Sequence, residues 1–526
     1  MFSQPRKIQL ATPYPALPHD NEPRETKPKE TKPKQSRSQL NSKPLYFALL
    51  EERGPTGQID AETQQASRNF LQQQLRAAET LATDFPDDVN LLPSVLHRAH
   101  EKTAQEYRRY LEGRQAGRPR RYFSCRSHGL YFLRAVAPTK LVDGAWLYGL
   151  LQWWQDPRQD HRLAPLIQIY LEELGCGQAA QNHVLLYQRL LARYGCEAWQ
   201  EGADENFTQG AVQLALAHHA DEFLPEIIGF NLGYEQLPLH LLITAYELNE
   251  LDIDPYYFSL HVTIDNASTG HARKALQSVQ DCAPRMGDVT EFHQRVANGY
   301  RLNSVGMGTL QAIAAFDLEQ ELLRVLASKA LTGAKLHSDY CLIGGRPVSD
   351  WLASPHKVSE LLSALQSTGW IRRGEDPQHS RFWRLLTDEQ APMFGVFDGY
   401  EQQLLRDWIK VEGKGMPKAT LASDFKRKAI VRNPNRFRQS QLTQTAEDTA
   451  SVPPSGASFK QIIAHHRASA PSPGVCADVD ILFQQLAGVN SQAEAFSVLN
   501  VMLSPANHPT PAGLVATRLY ADLFSR

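Results

Sequence analysis

The sequence predicts an all-α protein: a helical bundle followed by a further, mostly helical region. Apolar residues recur at three- and four-residue steps among good helix formers. Successive segments stop at helix-ending signals such as Pro157 and Gly175. No strand–turn–strand alternation interrupts the stretch from Val142 to Leu276.

Residues 1–43 are rich in Pro, Lys, Glu and Gln and hold little to bury, which predicts a disordered leader. A bundle with the candidate site is expected over 44–298. It opens with helices over 60–85 (DAETQQASRNFLQQQLRAAETLATDF) and 91–114 (LLPSVLHRAHEKTAQEYRRYLEGR). RPRRYFSCRSHGLYFLRAVAPTK is less regular and reads as a connector. Helical segments then follow closely: VDGAWLYGLLQWWQD, LAPLIQIYLEELG, NHVLLYQRLLARYG, FTQGAVQLALAHHADEFLPEIIGFNLGYE, LPLHLLITAYELNEL and YYFSLHVTIDN. Residues 299–410 read as a mostly helical C-terminal domain with a turn at Gly344, Gly345 and Pro347. Within it, GWIRRG and SRFWRL are compatible with a winged-helix-like unit. Residues 411–475 have the composition of a flexible linker, and 476–526 of a terminal helical segment.

A formal net charge of −2 over 526 residues gives no electrostatic argument for nucleic acid or an anionic membrane surface. No apolar run approaches the roughly 20 residues that span a bilayer, and the N-terminus lacks the apolar core of a secretory signal. The six cysteines are scattered without a CxxC pair, against a zinc knuckle or a disulfide framework and in keeping with a reducing compartment. The expectation is a cytoplasmic protein with a small-molecule substrate and neither a nucleic-acid nor a membrane partner.

Three segments concentrate residues able to bind metal. HVTIDNASTGH (261–271) holds two histidines and an aspartate. Residues four apart share one side of a helix, so His261 and Asp265 face one point. His271 lies about 80° further round an ideal helix, and joins them if NASTG widens a turn. The segment is either a ligand helix or a polar helix face. In EELGCGQAAQNH, Gly175 and Gly177 permit a close turn between Glu173 and His183. The alternative is a surface glutamate and a capped histidine. In FLPEIIGFNLGYEQLP, Glu226 and Glu235 interrupt an apolar helix, and at most one faces the interior. Carboxylate and imidazole ligands projecting into a helical bundle are a recurring design of di-iron and di-manganese proteins, although the Glu-x-x-His pair is absent here.

In this order the three segments resemble the heme-oxygenase-like diiron oxidases, also described as iron-containing redox enzymes. The resemblance covers about residues 140–280. It rests on Glu173 and His183, on Tyr234, Glu235 and Pro238, and on His261, Asp265 and His271. It implies a heme-oxygenase-like helical bundle, with two Fe(II) ions as cofactor and O2 as co-substrate. The implied ligands are Glu173, His183, Glu235, His261, Asp265 and His271, with Glu173 bridging the irons.

Two departures stand out. Many members place the last histidine three residues after the aspartate, whereas here it comes six after. Members with two full iron sites usually carry a carboxylate on the preceding helix, where this chain has only Asp143 before Asp156. Asp143 is either that ligand or an N-cap for the helix that follows. Trp146 and Tyr234, with other aromatic residues nearby, line a substrate cavity or belong to the core. The implied activity is O2-activating oxidation of a small organic metabolite such as a fatty acid, an amino acid, a guanidine or an amine. An electron donor and a second copy of the chain are compatible partners. The competing reading is a helical binding or scaffold protein with a degenerate, non-catalytic metal site.

Overall fold

A computed structural model describes residues 41–51, 59–154, 161–264, 270–285, 287–333, 340–411, 456–470, 472 and 474–525. Residues 1–40 of the expected leader and 412–455 of the expected linker lie outside the described residues. The first helix, α1 (Ser42–Leu50), begins within the last two positions assigned to the leader.

Helices α2 (Ala61–Glu79) and α3 (Leu92–Gln115) stand where the periodicity places them. Asp60 caps α2 by accepting from the Thr63 N–H at 2.8 Å. The stretch read as a connector is instead a helix, α4 (Arg126–Lys140), with eleven buried residues. A helix enclosed on all sides has no polar face, and so no amphipathic period to read. VDGAWLYGLLQWWQD forms a 3-10 helix over Ala145–Trp154. Its ten residues exceed the usual run of about three or four.

There follow α5 (Ala164–Glu173), α6 (His183–Arg193), α7 (Thr208–His218), α8 (Ala220–Tyr234), α9 (Leu239–Glu250) and α10 (Tyr256–Ile264). The expected helix over 207–235 is therefore two, parted at His219. The segment 261–271 is also divided. His271 opens a new helix, α11 (His271–Asp281), whose N-cap is an extended Gly270. The residues expected to widen a turn between the two histidines, apart from Gly270, lie outside the described residues.

Helix α12 (Val289–Leu302) crosses α8 at backbone contact. A Cβ on Gly229 would lie 1.9 Å from the Val296 carbonyl oxygen, and one on Gly299 would lie 2.0 Å from that of Glu226. Only glycine permits this approach. Arg295 ties the crossing with two 2.7 Å hydrogen bonds to the Glu226 carboxylate. Helix α12 runs across residue 298, where the sequence reading divides the chain.

Beyond it lie α13 (Thr309–Ala314), α14 (Leu318–Gly333), α15 (Val348–Leu352), α16 (Val358–Ser367), α17 (Arg381–Thr387) and α18 (Gly399–Lys410). Strands β1 (Leu342–Ile343) and β2 (Arg346–Pro347) pair antiparallel around Gly344 and Gly345. Both glycines have positive φ, 58° and 77°, as a type I′ turn requires. This hairpin precedes α15, while the residues expected to form a wing after α16 form turns and α17. Part of the expected linker is helix α19 (Phe459–Ser469), followed by α20 (Ala477–Ala487), α21 (Gln492–Met502) and α22 (Pro511–Phe524).

One apolar core joins α1, α2, α5, α7 and α8 to the C-terminal helices α20–α22. A second joins α4, α6 and α10 to α14–α18. Among the described residues no helix is long and apolar enough to cross a membrane. All six cysteines are free. The fold is all-α, as the sequence predicts.

Candidate metal centre

Two groups of buried acids and histidines share one residue. In the first, Asp143, Glu173, His183 and His261 each offer a donor atom within 4.8 Å of the others. In the second, Glu173, Glu235 and His271 do the same.

Local backbone features bring these side chains together. Asp143 follows α4 and is succeeded by Gly144 at φ 80°, where a Cβ would come within 2.9 Å of the Glu173 Cβ. Gly144 thus lets the Asp143 turn press against the end of α5. Glu173 is the last residue of α5 and His183 the first of α6. Between them Gly175, Cys176 and Gly177 all have positive φ, at 64°, 47° and 78°. For Cys176 this is an uncommon conformation. Asn182 caps α6 by accepting from Leu185 N–H at 3.0 Å. Glu235 is the C-cap of α8, and His271 begins α11.

Hydrogen bonds fix which nitrogen of two histidines faces the cluster. His261 Nδ1 lies 2.8 Å from the Tyr257 carbonyl oxygen. That atom only accepts, so Nδ1 carries the proton and Nε2 turns to Asp143 at 3.3 Å. His271 is reversed. Its Nε2 donates to Glu172 at 2.8 Å, while Nδ1 lies 3.1 Å from Glu235 and 3.3 Å from Glu173. Lys274 holds Glu172 in turn, 2.7 Å from each of its oxygens. Asp143 accepts from Tyr234 at 2.8 Å and from Tyr257 at 2.5 Å, and Lys140 donates to Tyr234 at 2.8 Å.

The cluster groups shift one another strongly. Burial favours the neutral form of Asp143, yet Lys140, His183 and His261 hold its carboxyl well below the usual range. Glu173 is likewise opposed by burial but drawn down to about 2 by His183 and His271. Burial works against a charged His183, and the Glu173 and Asp143 carboxylates overcome it and push the ring up to about 10. At Glu235 burial prevails over His271 and raises the carboxyl.

The donor atoms themselves fit a metal. Glu173 Oε2, both ring nitrogens of His183, and Glu235 Oε1 are buried without hydrogen-bond geometry among the described residues. His183 Nδ1 is nevertheless 2.5 Å from Glu173 Oε2. Convergence without hydrogen-bond alignment suits co-ligands, since two donors about 2.1 Å from one ion at a right angle sit about 3 Å apart. Burying three carboxylates together is costly unless cations accompany them. Mixed imidazole and carboxylate donors suit iron.

Residues 130–303 match the family model described as an iron-containing redox enzyme. Comparison with curated proteins and with solved structures returns no match. The iron-containing redox match runs from within α4 to just past α12 and includes every residue of both clusters. Together, the match and the buried acid–histidine cluster support a redox protein that uses iron.

Of the residues singled out from sequence, Asp143, Glu173, His183, Glu235, His261 and His271 converge. Asp265 lies outside the described residues. His271 joins Glu173 and Glu235, whereas the spacing argument would have placed it with His261. Both Glu226 and Glu235 are buried, but Glu226 turns to Arg295. Trp146 is fully buried, donates to Asn231 at 3.0 Å and packs against Tyr234 at 4.4 Å between ring centroids. Trp154 and Phe258 belong to the two apolar cores. Sequence reasoning missed Glu172 and Lys274. Glu172 is one of two adjacent glutamates at a helix end, and no spacing distinguishes it from a solvated acid.

Proposed function

We propose that this chain is a non-heme diiron oxidase or oxygenase acting on a small organic metabolite. The observation that carries the reading is the sharing of Glu173 between two donor groups: Asp143, His183 and His261 on one side, Glu235 and His271 on the other. A carboxylate with two oxygens can serve two ions, and Glu173 places Oε2 beside His183 and Oε1 beside His271. Tyr234 and Trp146 are the proposed substrate contacts.

When bound, two ferrous ions supply the electrons and open positions needed to activate O2. The chain's residues prepare that site. Glu172 holds the Nε2 proton of His271 and so leaves the Nδ1 lone pair facing the cluster. The Tyr257 carbonyl does the same for His261 with the nitrogens exchanged. The hydroxyls of Tyr234 and Tyr257 orient Asp143 and lessen its basicity. Tyr170, packed beside Gly144, and Tyr187, whose ring lies 4.7 Å from that of Tyr257, are buried and exclude bulk water from the flanks.

The test is O2 uptake by the chain after anaerobic Fe(II) loading, compared with His261→Ala prepared identically. Rapid uptake by wild type and a loss of at least tenfold in the variant are expected. No uptake by an iron-loaded, folded wild-type chain would overturn the reading.

A further inference from the structure

The family match ends at residue 303, yet the joint that carries Glu173 and His183 is backed by residues more than 300 positions downstream. Gly177 packs so closely on α22 that a Cβ there would lie 2.3 Å from the Leu514 carbonyl oxygen. Arg518 donates to the Gly177 carbonyl oxygen at 3.0 Å, and Tyr170 donates to that of Leu503 at 2.5 Å. At the centre of this contact is Asn182, fully buried and adjacent to His183. Its Oδ1 accepts from Leu185 N–H at 3.0 Å. Its Nδ2 donates to the Leu174 carbonyl oxygen at 3.2 Å and to His508 Nδ1 at 3.0 Å.

These bonds settle the amide's orientation, because the Leu185 N–H can bond only to an acceptor and the Leu174 carbonyl only to a donor. The Asn182 side chain therefore ties the end of the Glu173 helix, the start of the His183 helix and the turn between α21 and α22. Every hydrogen-bonding position of the amide that these elements face is used. Among the described residues, His508, 2 % exposed, supplies the acceptor that the Asn182 amide takes from outside the matched region.

We infer that His508, acting through Asn182, is a positioning residue that sets the spacing of Glu173 and His183, so that the C-terminal helices complete the metal centre. This rests on the proposed function. A hydrophobic residue at 508 would leave one Asn182 N–H buried and unpaired, which favours rotation of the amide and displacement of the α6 N-terminus. Loss of a direct outer partner of a metal ligand lowers affinity by about 10- to 100-fold, and a displacement relayed through Asn182 is expected to reach the lower end of that range.

The test is anaerobic Fe(II) titration of the full-length chain by calorimetry, with circular dichroism and thermal melting as the check on folding. His508→Leu removes the acceptor, and His508→Gln restores one through its side-chain oxygen. The inference expects a folded His508→Leu with affinity reduced at least tenfold, and a His508→Gln within about threefold of wild type. Should His508→Leu not fold, Arg518→Met at the same joint carries the test and is expected to weaken Fe(II) severalfold. A folded His508→Leu, or in its place Arg518→Met, with wild-type affinity overturns the inference alone, as does a His508→Gln as weak as His508→Leu. A wild-type chain that binds no Fe(II) removes the proposed function, and this inference with it.

Discussion

Glu172 and His271 are joined by a 2.8 Å hydrogen bond that turns the second ring nitrogen of the histidine toward Glu173 and Glu235. Adjacent residues of one helix end thus take different parts: Glu173 enters both donor groups, and Glu172 orients a partner from α11. Lys274, three residues after His271, braces the arrangement from the same helix as the histidine.

Removing that brace should separate the two donor groups. In Glu172→Ala the Nε2 proton of His271 loses the carboxylate that aims the ring at the cluster. We expect affinity for the second Fe(II) to fall by about 10- to 100-fold while the first binds as in wild type. A two-phase anaerobic titration reads both affinities, and equal weakening of the two phases would contradict the assignment of Glu172 to the His271 side.

The crossing of α8 and α12 should be intolerant of a methyl group. Alanine is better than glycine inside a helix by about 1 kcal/mol. At Gly229, however, the Cβ would meet a backbone oxygen at 1.9 Å, and overpacking of this kind costs roughly 1–3 kcal/mol or more. The clash wins, so Gly229→Ala and Gly299→Ala are expected to lower stability in urea denaturation. Gly488→Ala, whose Cβ would sit an ordinary 3.5 Å from the Gln485 carbonyl oxygen, is expected to be neutral or stabilising.

His218 gives a pH dependence that does not involve the metal centre. Burial lowers its pKa to about 4, despite its hydrogen bond to the Leu49 carbonyl oxygen at 3.3 Å. A depressed histidine pKa means that the unfolded chain takes up the proton first. The contribution to stability is full above about pH 6.5 and is lost as pH falls toward 4. By pH 5 the loss is roughly 2 kcal/mol. Urea midpoints at pH 7.5 and 5.0 should therefore differ less in His218→Gln than in wild type, and an unchanged difference would count against a buried, neutral His218.

Much of the site was legible because acids in apolar segments are conspicuous. Glu173, Glu235 and the histidines at 183, 261 and 271 stand out against their neighbours, and their order along the chain carried the resemblance. Their partition between two donor groups was not legible. Ten residues separate His261 from His271, and an ideal-helix argument assumes the continuity that Gly270 breaks. The dense core hid α4 for a related reason: a helix buried on every side offers no contrast between faces. The contribution of His508 had no local signal at all, since it depends on a contact between positions 326 residues apart.

The proposed function requires Glu173 to belong to two metal sites. The most direct measurement is the number of Fe(II) ions bound per chain in anaerobic titration of wild type, Glu235→Ala and Glu173→Ala, each shown to be folded by circular dichroism. Two ions are expected in wild type, one in Glu235→Ala and at most a trace in Glu173→Ala. Two ions retained by Glu173→Ala, or no more than a trace bound by wild type, would contradict the proposed function.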